Sequence, residues 1–340
     1  MHSQKNKVYI IAEAGVNHNG SIDSALEMVN VAKKCGADAI KFQTFKTELN
    51  VSKHSKLAEY QENANINASG QLEMLKKLEL SREDFVLIKK KCDECNIDFI
   101  STPDDEWSIQ LLLELNVKYI KIASAEIDNL PFLRTVGQTK KTIILSTGMS
   151  TLGEVERAIN ALNESGAKDI ILLHCTSNYP TNPSDVNLLS MKTLAFAFQL
   201  KVGYSDHTLG WDAAIIATTL GAEIIEKHFT LDKTLPGPDH QASADPNEFS
   251  QYVKIIRKTE LMLGDGIKRP QINEHSMRSS MRRSLVAAAN LKKGEILKID
   301  HINFKRPGTG ISPSHIDLVL GKKLFCDIDE DDLISWEALQ

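Results

Sequence analysis

The chemically useful side chains of this 340-residue chain stand at the ends of short apolar runs. In chain order they are Glu13; Lys41 and Gln43; Thr102; Lys121, Ser124 and Glu126; Ser146; His174 and Ser177; Ser205, Asp206 and His207; and Lys227 and His228. Two neutral imidazoles at His207 and His228, with positions left open for substrate oxygen and water, suit a divalent metal; a hydrogen-bonded structural pair is the alternative. Lys41 and Lys121, with the hydroxyls of Thr102, Ser124, Ser146 and Ser205, supply cations and donors without a Gly-rich phosphate loop. Such a set suits a small phosphorylated or carboxylated anion better than a nucleotide. Glu13 and Glu126 are candidates for general acid–base work or sugar-hydroxyl contacts, although carboxylates beside lysines are often plain ion pairs.

Eight elements must position these groups. Runs rich in β-branched residues at Val8–Ala14, Ala39–Phe42, Phe99–Thr102, Tyr119–Ile122, Thr142–Ser146, Ile170–His174, Lys201–Tyr204 and Glu223–His228 alternate with helical periodicity. Strands apolar on both faces belong in a covered parallel sheet, and eight strand–helix units predict an α/β fold, a closed (β/α)8 barrel. Such a barrel gathers its active site at the C-terminal strand ends. The catalytic barrel is expected over residues 1–266. Residues 267–283 are polar, contain Pro270 and read as a linker. Residues 284–340 carry short strand and turn signals and form a small domain near the lower size limit for an independent core.

Composition narrows the function. With 42% hydrophobic and 25% charged residues the chain is globular rather than disordered or fibrous. A net charge of −5 and the shortness of basic runs such as Lys89–Lys91 and Arg282-Arg283 argue against nucleic-acid binding. The polar start MHSQKNKVYI is unlike a secretory signal, and apolar runs fall far short of the ~20 residues of a membrane helix. A cytoplasmic location is expected, with Cys35, Cys92, Cys95, Cys175 and Cys326 as reduced thiols. The Cys92-x-x-Cys95 pair falls late in a helical pattern, where a redox thiol is not activated, and reads as structural.

Several segments resemble the sialic acid synthase family, in its order: IAEAGVNHNGS (Ile11–Ser21), KFQTF (Lys41–Phe45), STP (Ser101–Pro103), LSTGM (Leu145–Met149), LHCTSNYPT (Leu173–Thr181), GYSDHT (Gly203–Thr208), EKHFTLDK (Glu226–Lys233) and GPDHQAS (Gly237–Ser243). RRSLVA (Arg282–Ala287), KKGEIL (Lys292–Leu297) and KRPGTGISP (Lys305–Pro313) are similar to the antifreeze-like (SAF) domain that closes these enzymes. The resemblance implies a (β/α)8 barrel followed by that domain, and a metal-dependent, carbon–carbon bond-forming transferase of carbohydrate biosynthesis. Phosphoenolpyruvate condenses with an N-acylated amino-sugar aldehyde to a nine-carbon 2-keto sugar acid and phosphate.

Carried over by resemblance, His207 and His228 hold a divalent ion, Mn²⁺ foremost, with Mg²⁺ or Co²⁺ as alternatives. Lys41, Thr102, Lys121, Ser124, Ser146 and Ser205 bind phosphoenolpyruvate, and Glu13 stabilises the developing cation or steers the reacting water. Gln43, Glu126, Ser177, Tyr179 and Asp239 contact the sugar. Arg306 reaches the N-acyl group from the SAF domain of the other subunit in a domain-swapped homodimer. The chain departs from the family pattern at Ala125, where Gly is common, at Asp104-Asp105, where an aromatic is common, and at Ser177, where some members carry Asn. N-Acetylmannosamine, its 2,4-diacetamido-6-deoxy relative of the legionaminate type and a further variant therefore all stay open as acceptors. By resemblance, GPDHQAS favours the neuraminate/legionaminate branch over the pseudaminate branch. Alternatives are another phosphoenolpyruvate aldol-type synthase using a shorter phosphorylated sugar and, from a different class, a non-catalytic carbohydrate- or ice-binding protein.

Overall fold

The computed structural model describes residues 7–57 and 70–340. Eight parallel strands close into a barrel in sequence order: β1 (Tyr9–Gly15), β2 (Ala39–Thr44), β3 (Asp98–Pro103), β4 (Tyr119–Ile122), β5 (Thr142–Ser146), β6 (Ile170–His174), β7 (Lys201–Asp206) and β8 (Ile224–His228). β1 closes the ring by pairing with both β2 and β8, and the register sets Glu13 opposite Lys41 on one side and His228 on the other.

The two-residue period of a strand explains why these runs look apolar throughout yet carry a site. Outward residues such as Ile10, Ala12, Ile40 and Phe42 pack beneath the helices in the main core. Inward residues Ile11, Ala39, Ile100, Ile144, Leu173 and Ile224 form a separate cluster that fills the barrel. One period later the inward positions turn polar: Glu13, Lys41, Thr102, Ser146 and Glu226, with Lys121 two residues after Tyr119. In β7 the equivalent lower position is Gly203, where a Cβ would lie 2.3 Å from the Ile224 carbonyl oxygen. Only glycine fits there, and Ser205 follows it into the polar layer.

Local signals start and stop the surrounding helices. Ser21 caps Ile22–Cys35 by accepting from the Ser24 amide, and Gly36 ends it at φ +92°. Reciprocal capping boxes open Arg82–Cys95 (Ser81 and Asp84), Leu152–Glu164 (Thr151 and Glu154) and Pro246–Leu263 (Asp245 and Glu248). Cys92 is buried within its helix, where burial raises the thiol pKa, and all five cysteines are free. Among the described residues no helix is long and apolar enough to cross a membrane.

The chain divides into two compact units, Met1–Asp265 and Gly266–Gln340. In the second, β9 (Ser284–Ala287) pairs antiparallel with β10 (Ile302–Lys305), and Leu285, Leu297, Ile302, Val319, Leu324 and Ile334 belong to its own core. The segment expected to be a plain linker carries a helix, Glu274–Met281. No residue of that helix is buried, so it has no apolar stripe from which periodicity could reveal it.

Candidate active site

A cavity of about 440 Å³ opens at the C-terminal ends of the strands. Its floor is a network of buried charges. Lys41 Nζ lies 2.6 Å from Glu13 Oε1 and 3.8 Å from Glu226 Oε2, and donates to Thr102 Oγ1 at 3.1 Å. Lys121 Nζ lies 3.9 Å from Glu226 Oε1, which also accepts from Ser205 Oγ at 2.9 Å. Ser146 completes this layer from β5. Ser124 sits in a 3₁₀ turn after β4 and accepts the Gly148 amide at 2.9 Å. That contact requires glycine, because a Cβ at position 148 would meet Ser177 Oγ at 2.4 Å and Ser124 Oγ at 2.9 Å. Gln43, Glu126, Ser177, Tyr179 and Asp239 line the walls.

The environments of the two floor carboxylates push them apart. Burial raises the Glu13 pKa despite Lys41, and among the described residues its Oε2 has no hydrogen-bond partner. Burial also opposes ionisation of Glu226, but Lys121, Lys41 and the Ser205 hydroxyl outweigh it and hold the pKa below the usual carboxylate range. Burial lowers the Lys121 pKa, whereas the opposing pull of Glu13 and Glu226 leaves that of Lys41 raised. Of the two, Glu226 is held toward the charged form and Glu13 is the readier to exchange a proton.

His207 and His228 stand beside this network with ring centroids 5.4 Å apart. The Tyr179 ring lies 4.3 Å from His207 and meets His228 edge-on at 5.6 Å. His207 Nδ1 is 2.7 Å from the Thr176 carbonyl oxygen, which accepts only if that nitrogen carries the proton, so Nε2 carries the lone pair, with Ser205 Oγ 3.4 Å away. Burial lowers both imidazole pKa values, His228 further because of His207 and Lys41, which favours the neutral form of both rings. His228 Nδ1 is buried and has no partner among the described residues. Neutral rings, a tautomer fixed by a backbone carbonyl and an orphaned nitrogen fit a divalent ion. Among the described residues no group of three or more His, Cys, Asp or Glu gathers for a metal, so the pair would leave the remaining positions to substrate and water.

The sequence profile of the NeuB family matches residues 28–268, and that of the SAF domain matches residues 282–340. The chain belongs to the NeuB family. It is 48% identical over 336 residues to the N,N'-diacetyllegionaminic acid synthase of Legionella pneumophila, covering 98% of this chain and 94% of the relative. It is 46% identical over 333 residues to the enzyme of the same name from Campylobacter jejuni, covering 96% and 99%. The crystal structure of the N-acetylneuraminic acid (sialic acid) synthetase from Leptospira borgpetersenii superposes with a TM-score of 0.71 at 36% identity, covering 80% of this chain and 90% of that one.

In this NeuB-family barrel, every barrel residue singled out as catalytic or substrate-binding lines the one cavity. Arg306 belongs to the second unit, just after β10. Three polar strand-end residues face the other way. His174 turns outward, with Nε2 2.7 Å from the Val186 carbonyl oxygen and its ring stacked on Tyr204. Asp206 and Lys227 pair at 3.2 Å behind the site, where Asp206 also accepts from Tyr252 Oη at 2.7 Å. Each is one residue out of phase with an inward neighbour. Of the two acidic residues after STP, Asp104 lines the cavity, whereas Asp105 caps the helix Glu106–Glu114 by accepting the Ser108 amide. Sequence reasoning missed Glu226, although counting two residues back from His228 finds it. It also missed Cys175, two residues after the inward Leu173, and Asn50 and Gln71, brought in by the excursion after β2.

Asp239 yields a test of these electrostatics. Burial pushes its carboxyl up to about 6. A raised value favours the neutral form in the fold, so the associated stability is full below the unfolded value of about 3.9 and is lost as pH rises through the folded one. Asp239→Asn should therefore gain thermal stability relative to wild type between about pH 4.5 and about pH 7.5. The gain reaches about 1–2 kcal/mol after allowance for partial exposure. A calorimetric difference that stays flat or shrinks with pH would refute this environment.

Proposed function

We propose that this protein condenses phosphoenolpyruvate with the open-chain aldehyde of an N-acetylmannosamine-type sugar and water, releasing phosphate and a nine-carbon 2-keto sugar acid. The observation that carries the reading is the buried Glu13–Lys41–Glu226–Lys121 network beside two neutral imidazoles in one cavity. The names of the Legionella and Campylobacter relatives make the 2,4-diacetamido-6-deoxy sugar the second acceptor to consider.

Lys41 and Lys121 hold the carboxylate and phosphate of phosphoenolpyruvate, with the hydroxyls of Thr102, Ser124, Ser146 and Ser205 as donors. Carbon C3 of phosphoenolpyruvate is a weak nucleophile, so the aldehyde oxygen needs polarising. His207 and His228 would hold a divalent ion, Mn²⁺ foremost, which supplies Lewis acidity there. As the new carbon–carbon bond forms, positive charge builds at C2, and Glu13 stabilises it and takes a proton from the water that adds; that proton ends on the former aldehyde oxygen, and the remaining C2 hydroxyl proton leaves with phosphate as C2 becomes the keto group. The raised proton affinity of Glu13 suits that transfer near neutral pH. Phosphate then leaves C2 by C–O cleavage, with its charge met by the lysines. Gln43, Glu126, Ser177, Tyr179 and Asp239 orient the acceptor. Phosphoenolpyruvate is a cytoplasmic metabolite, and a cytoplasmic location accompanies this reading.

Incubation with phosphoenolpyruvate, Mn²⁺ and each N-acyl hexosamine should release phosphate and a product whose mass equals phosphoenolpyruvate plus sugar plus water minus phosphoric acid. EDTA should stop it and Mn²⁺ restore it. Phosphate release with arabinose 5-phosphate but not with the N-acyl sugars would overturn the assignment. The SAF domain of a second copy delivers Arg306 to the sugar's N-acyl group in a domain-swapped homodimer. Arg306→Ala mixed with His228→Ala should then recover about a quarter of wild-type activity, half the dimers being hybrids with one intact site each. Hybrids without activity would exclude delivery in trans.

A further inference from the structure

The wall of the cavity opposite the imidazole pair has its own chemistry. β3 and β7 lie four strands apart in the ring of eight, so Asp104, directly after β3, stands across the barrel mouth from His207, directly after β7. Asn50 Nδ2 donates to Asp104 Oδ2 at 3.1 Å, and among the described residues Asp104 Oδ1 has no hydrogen-bond partner. Glu126 lines the same wall from the turn after β4, where its Oε2 accepts from Asn129 at 2.6 Å. On the floor, Glu13 is 2% exposed and leaves Oε2 unbonded among the described residues, so unmet acceptors point into the cavity at more than one level.

We propose that Asp104, held by Asn50, is a specificity-determining residue that selects an unphosphorylated acceptor presenting hydroxyl or amide N–H donors at the end away from its aldehyde. The inference rests on the proposed reaction and deepens it. Among the described residues lining the cavity, the only cations are Lys41 and Lys121, and both are engaged with the floor carboxylates. A phosphate on the far end of the sugar would face Asp104 and Glu126, where none of this chain's described lining residues supplies a cation, and the proposed Arg306 of the second copy is directed at the N-acyl group instead. Burial, with Glu126 and Asp105 nearby, already pushes the Asp104 carboxyl up to about 7, so this wall resists further negative charge. A neutral acceptor avoids that cost and fills the free carboxylate oxygen with a donor.

The test compares kcat/KM for N-acetylmannosamine and its 6-phosphate in wild type, Asp104→Asn and Asn50→Lys. Wild type should prefer the neutral sugar by about 100-fold or more. Asp104→Asn should shrink that ratio about tenfold, chiefly through the sugar KM, with the phosphoenolpyruvate KM shifted less than about twofold. Asn50→Lys, which adds a cation beside Asp104, should shrink the ratio by a different route and covers failure of Asp104→Asn to fold. Ratios within about twofold of wild type in the folded variants would overturn the role of Asp104. Calorimetric binding of the two reduced, unreactive sugar alcohols separates this proposal from the reaction itself. A neutral-sugar preference that Asp104→Asn weakens, without turnover of either sugar, supports Asp104 and sinks the reaction. Equal binding of both alcohols to wild type sinks the specificity role.

Discussion

Replacing His207 or His228 with alanine is expected to lower turnover by about a thousandfold or more, and to leave a residual rate indifferent to EDTA and to Mn²⁺. Lewis-acid polarisation of the aldehyde is worth several kcal/mol, and each ~1.4 kcal/mol is a factor of ten in rate. The two variants should differ in stability. His228→Ala removes a buried nitrogen that has no partner among the described residues, so its melting temperature should barely move. His207→Ala removes the 2.7 Å donor to the Thr176 carbonyl, which keeps the Asn178 amide at 3.0 Å and Thr181 Oγ1 at 3.2 Å, so the lost hydrogen bond should cost about 1 kcal/mol. Rates within about tenfold of wild type in both folded variants, still sensitive to EDTA, would remove the metal from this site.

Glu226→Gln is expected to separate binding from catalysis. Glu226 is 5% exposed and its carboxylate lies within 4 Å of both floor lysines. Loss of its charge leaves Lys121 with no carboxylate partner, since Lys41 keeps Glu13 at 2.6 Å. Breaking a buried pair on one side costs about 3–5 kcal/mol, so the substrate-free variant should melt at a markedly lower temperature. Adding phosphate or phosphoenolpyruvate should restore much of that loss, because an anion then neutralises the lysines. Affinity for phosphoenolpyruvate should hold or rise while kcat falls about a hundredfold, since Ser205 loses its acceptor and the lysines lose their spacing. A variant that melts like wild type, or that loses phosphoenolpyruvate affinity, would show that Glu226 is not the shared counter-ion of the pair.

Much of this was legible in the residue order, and the failures have definite causes. Strand-end position alone could not separate His174, Asp206 and Lys227 from the inward groups, because facing depends on the two-residue period and not on proximity to the end. Applying that period from His228 and Ser205 brings in Glu226 and turns Asp206 and Lys227 outward. Asp104 and Asp105 show the same limit at a turn: one carboxylate lines the cavity while its neighbour is consumed as a helix cap. The helix Glu274–Met281 escaped notice because a segment with nothing to bury leaves no pattern.

The residue order by itself specified the alternation of strands and helices, the polar tips of the strands and the motifs that mark the family, since each of these is written in local periodicity and residue type. Which tips converge was decided only when the ring closed. Barrel closure sets Glu13 between Lys41 and His228, and Ser205 against Glu226. It also carries Asn50 and Gln71 into a cavity whose other walls lie far along the chain. Burial in that closed space raises the Glu13 pKa, while Lys121, Lys41 and the Ser205 hydroxyl outweigh the same burial at Glu226 and lower its pKa. No stretch of sequence contains that competition, because its members meet only through the fold.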